Sequence, residues 1–258
     1  MRESTPRHWE SYWEREARVE ETYSNEDRIL KRLLPLPLEG EWVVEVGAGS
    51  GRDSLALARK GARVLVLDYV ESSFRVIRRL AKEEGLEVAC VCADATRSPF
   101  REGTFRLVFH QGLMEHFRDP GGLLADNHRI TQRNGFTLVD VPQKYHLYTL
   151  GKHVLIALGK WFAGWETEYS PAELEGLMRK RRYEVVETYG EWFVPGLFYR
   201  GLRYALRRAG VATLPLYPPE IWPFAQSGRA MRKLLSSGRW GLYTAAMIGV
   251  LGRKTDGS

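Results

Sequence analysis

The stretch Val43-Val44-Glu45-Val46-Gly47-Ala48-Gly49-Ser50-Gly51-Arg52-Asp53-Ser54 constrains this chain more than any other. An apolar run suited to a buried strand leads into glycines at three alternate positions and then into a helical pattern. Glycine loses more backbone freedom on folding than any other residue, so three within five positions need a physical reason. Either the main chain bends where a Cβ would clash, or a ligand presses against it. A glycine-rich turn ahead of a helix N-terminus suits phosphate binding or close ligand approach. A P-loop fails, because five positions on from Gly47 stands Arg52. A dinucleotide fingerprint fails at the same place, where it needs a small residue for helix packing. What remains is GxGxG with an acidic residue, Glu45, two positions ahead of it inside the strand.

From Trp42 onward apolar strand runs alternate with helical patterns. The strand runs are 42–46, 63–68, 87–92, 105–110 and 136–141, and helices are expected over 54–60, 72–84 and 121–131. Such alternation implies βαβ units, a mainly parallel sheet and helices on both faces. Two further strands are expected at 183–189 and 242–254, the last closing the sheet. Between them and the core, Ser170, Pro171 and Glu173 mark a helix start over 170–180. The expected fold is therefore α/β, doubly wound around a mainly parallel seven-stranded sheet with the final strand antiparallel, plus an aromatic and basic helical insert. The expected division is a helical cap at 1–41, a binding core at 42–142, and a remainder at 143–258. That remainder returns to the sheet at 170–190 and 242–254 and carries inserts at 143–169 and 191–241.

These motifs resemble those of the class I S-adenosylmethionine-dependent methyltransferases. The first is Val43 to Gly51 with Glu45 two residues before the glycines. The second is an acidic residue, Asp68, closing the strand Val64-Leu65-Val66-Leu67. The third is Asp94 in Ala93-Asp94-Ala95 after the third strand. The fourth is the ligand-facing loop His110-Gln111-Gly112-Leu113-Met114-Glu115-His116. The resemblance covers about 100 residues, from Trp42 to Pro142. It implies S-adenosyl-L-methionine as cofactor and S-adenosyl-L-homocysteine as product. It implies cofactor binding by Glu45, Gly47, Ala48, Gly49, Gly51, Asp68, Tyr69, Asp94, Ala95, His110, Gln111 and Gly112. Asp68 would accept from the two ribose hydroxyls, as a strand-end carboxylate does in dinucleotide folds. Asp94 would accept from the adenine amino group and Glu45 would lie near the methionine ammonium. As strand- and loop-end acids, all three have an alternative as caps or as supports for loop amides.

The loop after the fourth strand lacks the [ND]PP[YF] segment of base-amino methyltransferases, and no Pro-Cys pair suits cytosine C5 chemistry. His116 and Glu115 are the catalytic candidates, histidine being the natural base near pH 7. Tyr145, His146 and Tyr148 are candidates for the acceptor pocket, their alternative being packing of the insert onto the sheet. Residues 147–162 and 196–210 read as helices, the first with Leu147, Leu150, Val154, Leu158 and Trp161 on one face, the second with Arg200, Arg203, Arg207 and Arg208. The chain has a net charge of +6, and from Lys144 to Trp240 fifteen Lys/Arg stand against eight Asp/Glu, so the surplus lies in the back half. Its apolar and aromatic content favours a small or lipid-like acceptor, with or without an anionic group, and allows contact with a membrane surface. RNA or protein modification through the basic half, or cofactor binding without catalysis, are the rival readings. No integral membrane segment, no secretory leader and no metal set is expected. Cys90 and Cys92, two apart on one strand, read as reduced thiols in a cytoplasmic protein.

Overall fold

The computed structural model describes residues 5, 9–10, 26–159, 161, 165–211, 213–218, 230, 234 and 238–255. Tyr12, Trp13 and most of the stretch 219–237 lie outside them. The sheet has seven strands: β1 (Trp42–Val46), β2 (Arg63–Asp68), β3 (Val88–Cys92), β4 (Phe105–Gln111), β5 (Thr131–Pro142), β6 (Tyr183–Glu191) and β7 (Met247–Lys254). Their order is β3-β2-β1-β4-β5-β7-β6. The pairs among β1 to β5 are parallel, and β7 runs antiparallel between β5 and β6.

Successive side chains of a strand point to opposite faces, and the two faces hold separate cores. Val43, Val64, Val66, Leu107 and Phe109 pack on one face with helices α1 (Glu26–Leu33), α2 (Arg52–Ala58) and α3 (Glu71–Glu83), through Ile29, Leu57 and Phe74 among others. Val44, Val46, Val108, Val139 and Val141 pack on the other with Leu123 and Leu124 of α4 (Gly121–Ile130). Beside α4 on that face lies α6 (Pro171–Lys180), contributing Leu174 and Met178. Helix α6 starts where the sequence places it. Ser170 Oγ accepts from the Glu173 N–H at 3.2 Å, and Glu173 Oε2 accepts from the Ser170 N–H at 2.8 Å. This reciprocal cap satisfies two otherwise orphaned donors.

Most expected boundaries shift by one or two residues, and three move further. Strand β5 begins at Thr131 rather than 136, because the chain already pairs at Phe105↔Thr131 before an irregularity and resumes at Leu107↔Phe136. The first insert helix, α5 (Leu147–Ala157), stops short of 162: Gly159 takes a φ of +66°, and Trp161 lies beyond the helix. The last strand begins at Met247, not 242. Residues Arg239–Thr244 form a 3-10 turn, and Ala245 packs where Gly190 has no side chain. The basic helix is α7 (Leu197–Arg208). No helix among the described residues is long and apolar enough to cross a membrane. Cys90 and Cys92 are both free thiols.

Gly249 of β7 shows how tightly this sheet is filled. A Cβ there would lie 2.2 Å from the Tyr189 ring, whose hydroxyl donates to Asp140 Oδ2 at 2.9 Å beneath the sheet edge. Gly249→Ala is expected to displace that ring and to lower stability by about 1–3 kcal/mol, read as a lower denaturant midpoint.

Candidate active site

The carboxyl ends of β1, β2 and β4, with the turn after β3, enclose a cavity of about 550 Å³. Its floor is the glycine loop. Gly47, Gly49 and Gly51 have φ of +66°, +51° and +65°, the left-handed region that side chains disfavour. The loop is drawn tight by two main-chain bonds, Gly47 N–H to Leu67 O and Gly51 N–H to Ala48 O, each 2.7 Å. A Cβ on Gly47 would lie 2.8 Å from Leu113 Cδ1 at the cavity wall. Gly51 serves packing instead, since its Cβ would meet Ile77 of α3 at 2.9 Å.

Two carboxylates stand at one end of the cavity. Asp68 closes β2 and accepts from the Val70 N–H at 3.0 Å. Burial pushes its pKa up, while the N–H groups of Val70, Gly49 and Tyr69 pull it down. Asp94 uses Oδ1 for the Thr96 N–H and hydroxyl, both at 2.8 Å. Glu45 also lines the cavity, is buried, and accepts from Ser54 Oγ at 2.6 Å. Burial, then the Asp53 carboxylate, raises its pKa well above the usual range. Ala48, Tyr69, Ala95, Gln111 and Gly112 complete the sequence-expected residues in the wall.

At the other end lie Leu113, His116 and Phe117, with Trp9 packing edge-on against the His116 ring at 5.1 Å between centroids. His116 ends a 3-10 turn, Met114–His116, and burial lowers its pKa. Its Nδ1 is buried and has no partner. Glu115 does not line the cavity but lies beside Gly112 of its wall, and it is buried; burial, then the Glu166 carboxylate, pushes it up to about 8. His110 lies inside the sheet, outside the cavity wall, with neither ring nitrogen partnered and a pKa pushed down to about 3 by burial.

Tyr145, His146 and Tyr148 gather on the insert side, not in this cavity. His146 caps α5, its Nδ1 accepting from the Tyr148 N–H at 3.1 Å. Phe193 joins the rings of His146 and Tyr148 edge-on, and Tyr148 meets Trp161 the same way. Tyr145 stacks on Tyr243. Behind them Lys152 of α5, fully buried, sits 2.6 Å from both Glu166 Oε2 and Glu168 Oε1.

Sequence reasoning missed the polar chain beneath the cavity. Asp53 Oδ2 accepts from Gln111 Nε2 at 2.5 Å, and Gln111 Oε1 accepts from Arg28 Nη2 at 2.6 Å. Arg28 Nη2 lies 3.0 Å from Asp140 Oδ1. An acid inside an apolar strand, as Asp140 is in FTLVDV, was the available signal, because a buried carboxylate needs a partner. Burial raises Asp53 from 3.8 to about 7, with Arg28 opposing it. The folded state therefore holds a proton there that the unfolded chain has lost. Asp53's contribution to stability is intact below about pH 4 and is lost as pH rises through 7. Asp53→Asn should make the fall in denaturation free energy over this window shallower than in the wild type.

The family model described as a methyltransferase domain matches residues 44–139. A ubiquinone biosynthesis O-methyltransferase of Ruegeria pomeroyi is 28% identical over 164 residues, 62% of this chain; the match spans 66% of that relative's length. A methyltransferase solved in complex with the Haloferax volcanii Trm112 methyltransferase activator shares 18% identity over 99% of each chain, at a TM-score of 0.66. The magnesium protoporphyrin IX methyltransferase of Synechocystis PCC 6803, solved with bound S-adenosylhomocysteine, shares 14% identity over 89% of this chain and 81% of its own, at a TM-score of 0.57. Over residues 44–139 the chain thus matches a methyltransferase domain, and its fold is the one these solved methyltransferases share.

Proposed function

We propose that the chain transfers the S-adenosylmethionine methyl group to an oxygen of a small, lipid-like acceptor. The observation that carries this is the cavity itself: a glycine-rich floor, two carboxylates at one end, and a buried histidine nitrogen at the other. The relatives' O-methyltransferase activity supports oxygen as the acceptor atom.

The residues fit the cofactor. When bound, it supplies a methyl group already activated on a sulfonium. Asp68 accepts from the ribose hydroxyls while three loop N–H groups hold it in place. Asp94, with one oxygen committed to Thr96, offers the other to the adenine amino group, and the Ala95 N–H donates to the ring. Glu45 faces the methionine ammonium; a cation there favours its ionised form against the burial that raises its pKa. Gln111, held by Arg28 and Asp53, presents a fixed amide to the same end. Burial lowers the pKa of His116 and keeps it neutral near pH 7, so the ring has one nitrogen that can take a proton from the acceptor hydroxyl. Trp9 covers that ring and excludes water from it. Glu115 sits behind His116 as a buried acid rather than in contact with ligand.

Two measurements test this. Asp68→Asn keeps an oxygen for the Val70 N–H but removes the charge, so calorimetry should show S-adenosylhomocysteine binding weakened by about tenfold to a hundredfold. His116→Ala should leave that binding within about twofold. Its turnover of tritiated cofactor on a phenol carrying an isoprenoid tail should fall by about 10² to 10⁴. A wild-type chain that binds S-adenosylhomocysteine and methylates no such phenol would remove the acceptor assignment.

A further inference from the structure

Helix α5 is packed inside out. Its one fully buried ionic side chain, Lys152, faces the protein at 0% exposure, with Thr149 buried beside it. Its apolar face points outward: Leu147 is 78% exposed, Leu150 66%, Val154 55% and Leu158 61%. Turning the helix to bury those leucines would pull the ammonium out of its ion pairs with Glu166 and Glu168 and leave two buried carboxylates unpaired. The orientation is therefore fixed by charge, and the exposed stripe is its consequence.

Helix α7 has the same character. None of its twelve residues is buried. Phe198, Leu202 and Ala205, at positions i, i+4 and i+7, form an exposed apolar stripe, with Phe198 86% exposed. Arg207 and Arg208 follow in its last turn, and residues 192–211 contain four arginines and no acidic residue. A helix with one apolar face, arginines beside it and little packing of its own matches the interfacial type that lies in the headgroup layer. The two helices meet at Phe193. Its ring takes the His146 and Tyr148 rings from α5 edge-on and lies 4.6 Å from the Arg200 guanidinium of α7. Lys152 of α5 pairs with Glu166, and the next residue, Thr167, donates its N–H to Glu115 O at 2.8 Å, so this junction stands on the Glu115–His116 side of the site.

The structure assigns the outer faces of α5 and α7 to the surface of an anionic lipid bilayer. The charge of the 192–211 stretch selects negative headgroups, and the exposed leucines and Phe198 enter the acyl boundary. Docked this way, the Tyr148–Phe193 junction opens toward the membrane and takes a lipid-like acceptor from it directly. The inference deepens the lipid-like acceptor reading and rests on it for the direction of delivery only.

The test is flotation of the full chain with vesicles of phosphatidylcholine and phosphatidylglycerol, and with phosphatidylcholine alone. The wild type is expected to float with the anionic vesicles at low salt and to be released as salt screens the arginines. Arg207→Gln with Arg208→Gln should weaken binding about fivefold per charge. Leu150→Ser with Val154→Ser, and Phe198→Ser with Leu202→Ser, should each weaken it by about tenfold or more. S-adenosylhomocysteine binding, measured in parallel, should be unchanged in all three and so shows that they fold. A wild type that stays with the lipid-free fraction at low salt overturns the proposal, as does serine-variant binding equal to wild type. Light scattering that shows a wild-type dimer lost in Leu150→Ser with Val154→Ser also overturns it, since a second copy then covers the face. Methylation of a dissolved phenol without vesicle binding sinks this inference alone; vesicle binding without methylation of any isoprenoid phenol sinks the acceptor reading alone.

Discussion

The glycine loop between β1 and α2 depends on a constraint that no side chain satisfies: three left-handed residues in five, with one short main-chain bond to β2 and another closing the loop on itself. With the loop fixed, the neighbouring strand end can face it, and Asp68 does so by accepting N–H groups from both its own turn and the loop. The carboxylate thus braces the same floor whose ligand it is suited to hold. Its two tasks share one geometry, so neither requires the carboxylate to move. At the other half of the cavity the turn after β4 is held by its own main-chain bonds, His116 N–H to Leu113 O and Phe117 N–H to Met114 O, and the Trp9 ring packs edge-on against His116.

Below this floor the protein keeps acids where a core would ordinarily be apolar. Glu45, Asp53 and Asp140 are all buried, and their pKa values are all raised by burial. Arg28 is the guanidinium that reaches both Gln111 and Asp140. A positive charge above these acids would favour their ionised forms against the burial that raises their pKa values. A second buried cluster, Lys152 with Glu166 and Glu168, plays a different part. It sets the rotation of α5 and ties the segment before α6 to the turn that carries His116, through Thr167 N–H donating to Glu115 O at 2.8 Å.

The sheet was legible because near-continuous apolar runs such as WVVEV and RVLVLD have one stable home, between two layers of helices. The reciprocal cap at Ser170 and Glu173 was legible for a similar reason, being local. What escaped was long-range. Nothing near Arg28 in sequence reveals that its guanidinium meets Gln111 and Asp140, because those partners come together only once the sheet forms. Strand β7 was placed too early because its lead-in, Leu242 to Ala246, is as apolar as a strand; the packing of Ala245 over Gly190 turns it aside. Helix α5 was legible as a helix with one apolar face, but which face turns inward depends on Lys152, whose partners Glu166 and Glu168 follow in a later segment. In the wall of the cavity, the acids at strand ends were readable from position, whereas Trp9 and Leu113 carry no chemical signature that separates them from ordinary packing residues.

Helix α1 carries a consequence for how the chain matures. Arg32 stacks on Tyr189 and grips Glu187 and Glu191, partners 155 and 159 residues further along. Ile29 and Leu33 can seat this helix on the core as soon as β1, α2 and β4 exist, but Arg32 meets its carboxylates only when β6 emerges. The helix is thus berthed early and clamped late, by a strand the ribosome delivers when most of the chain is already made.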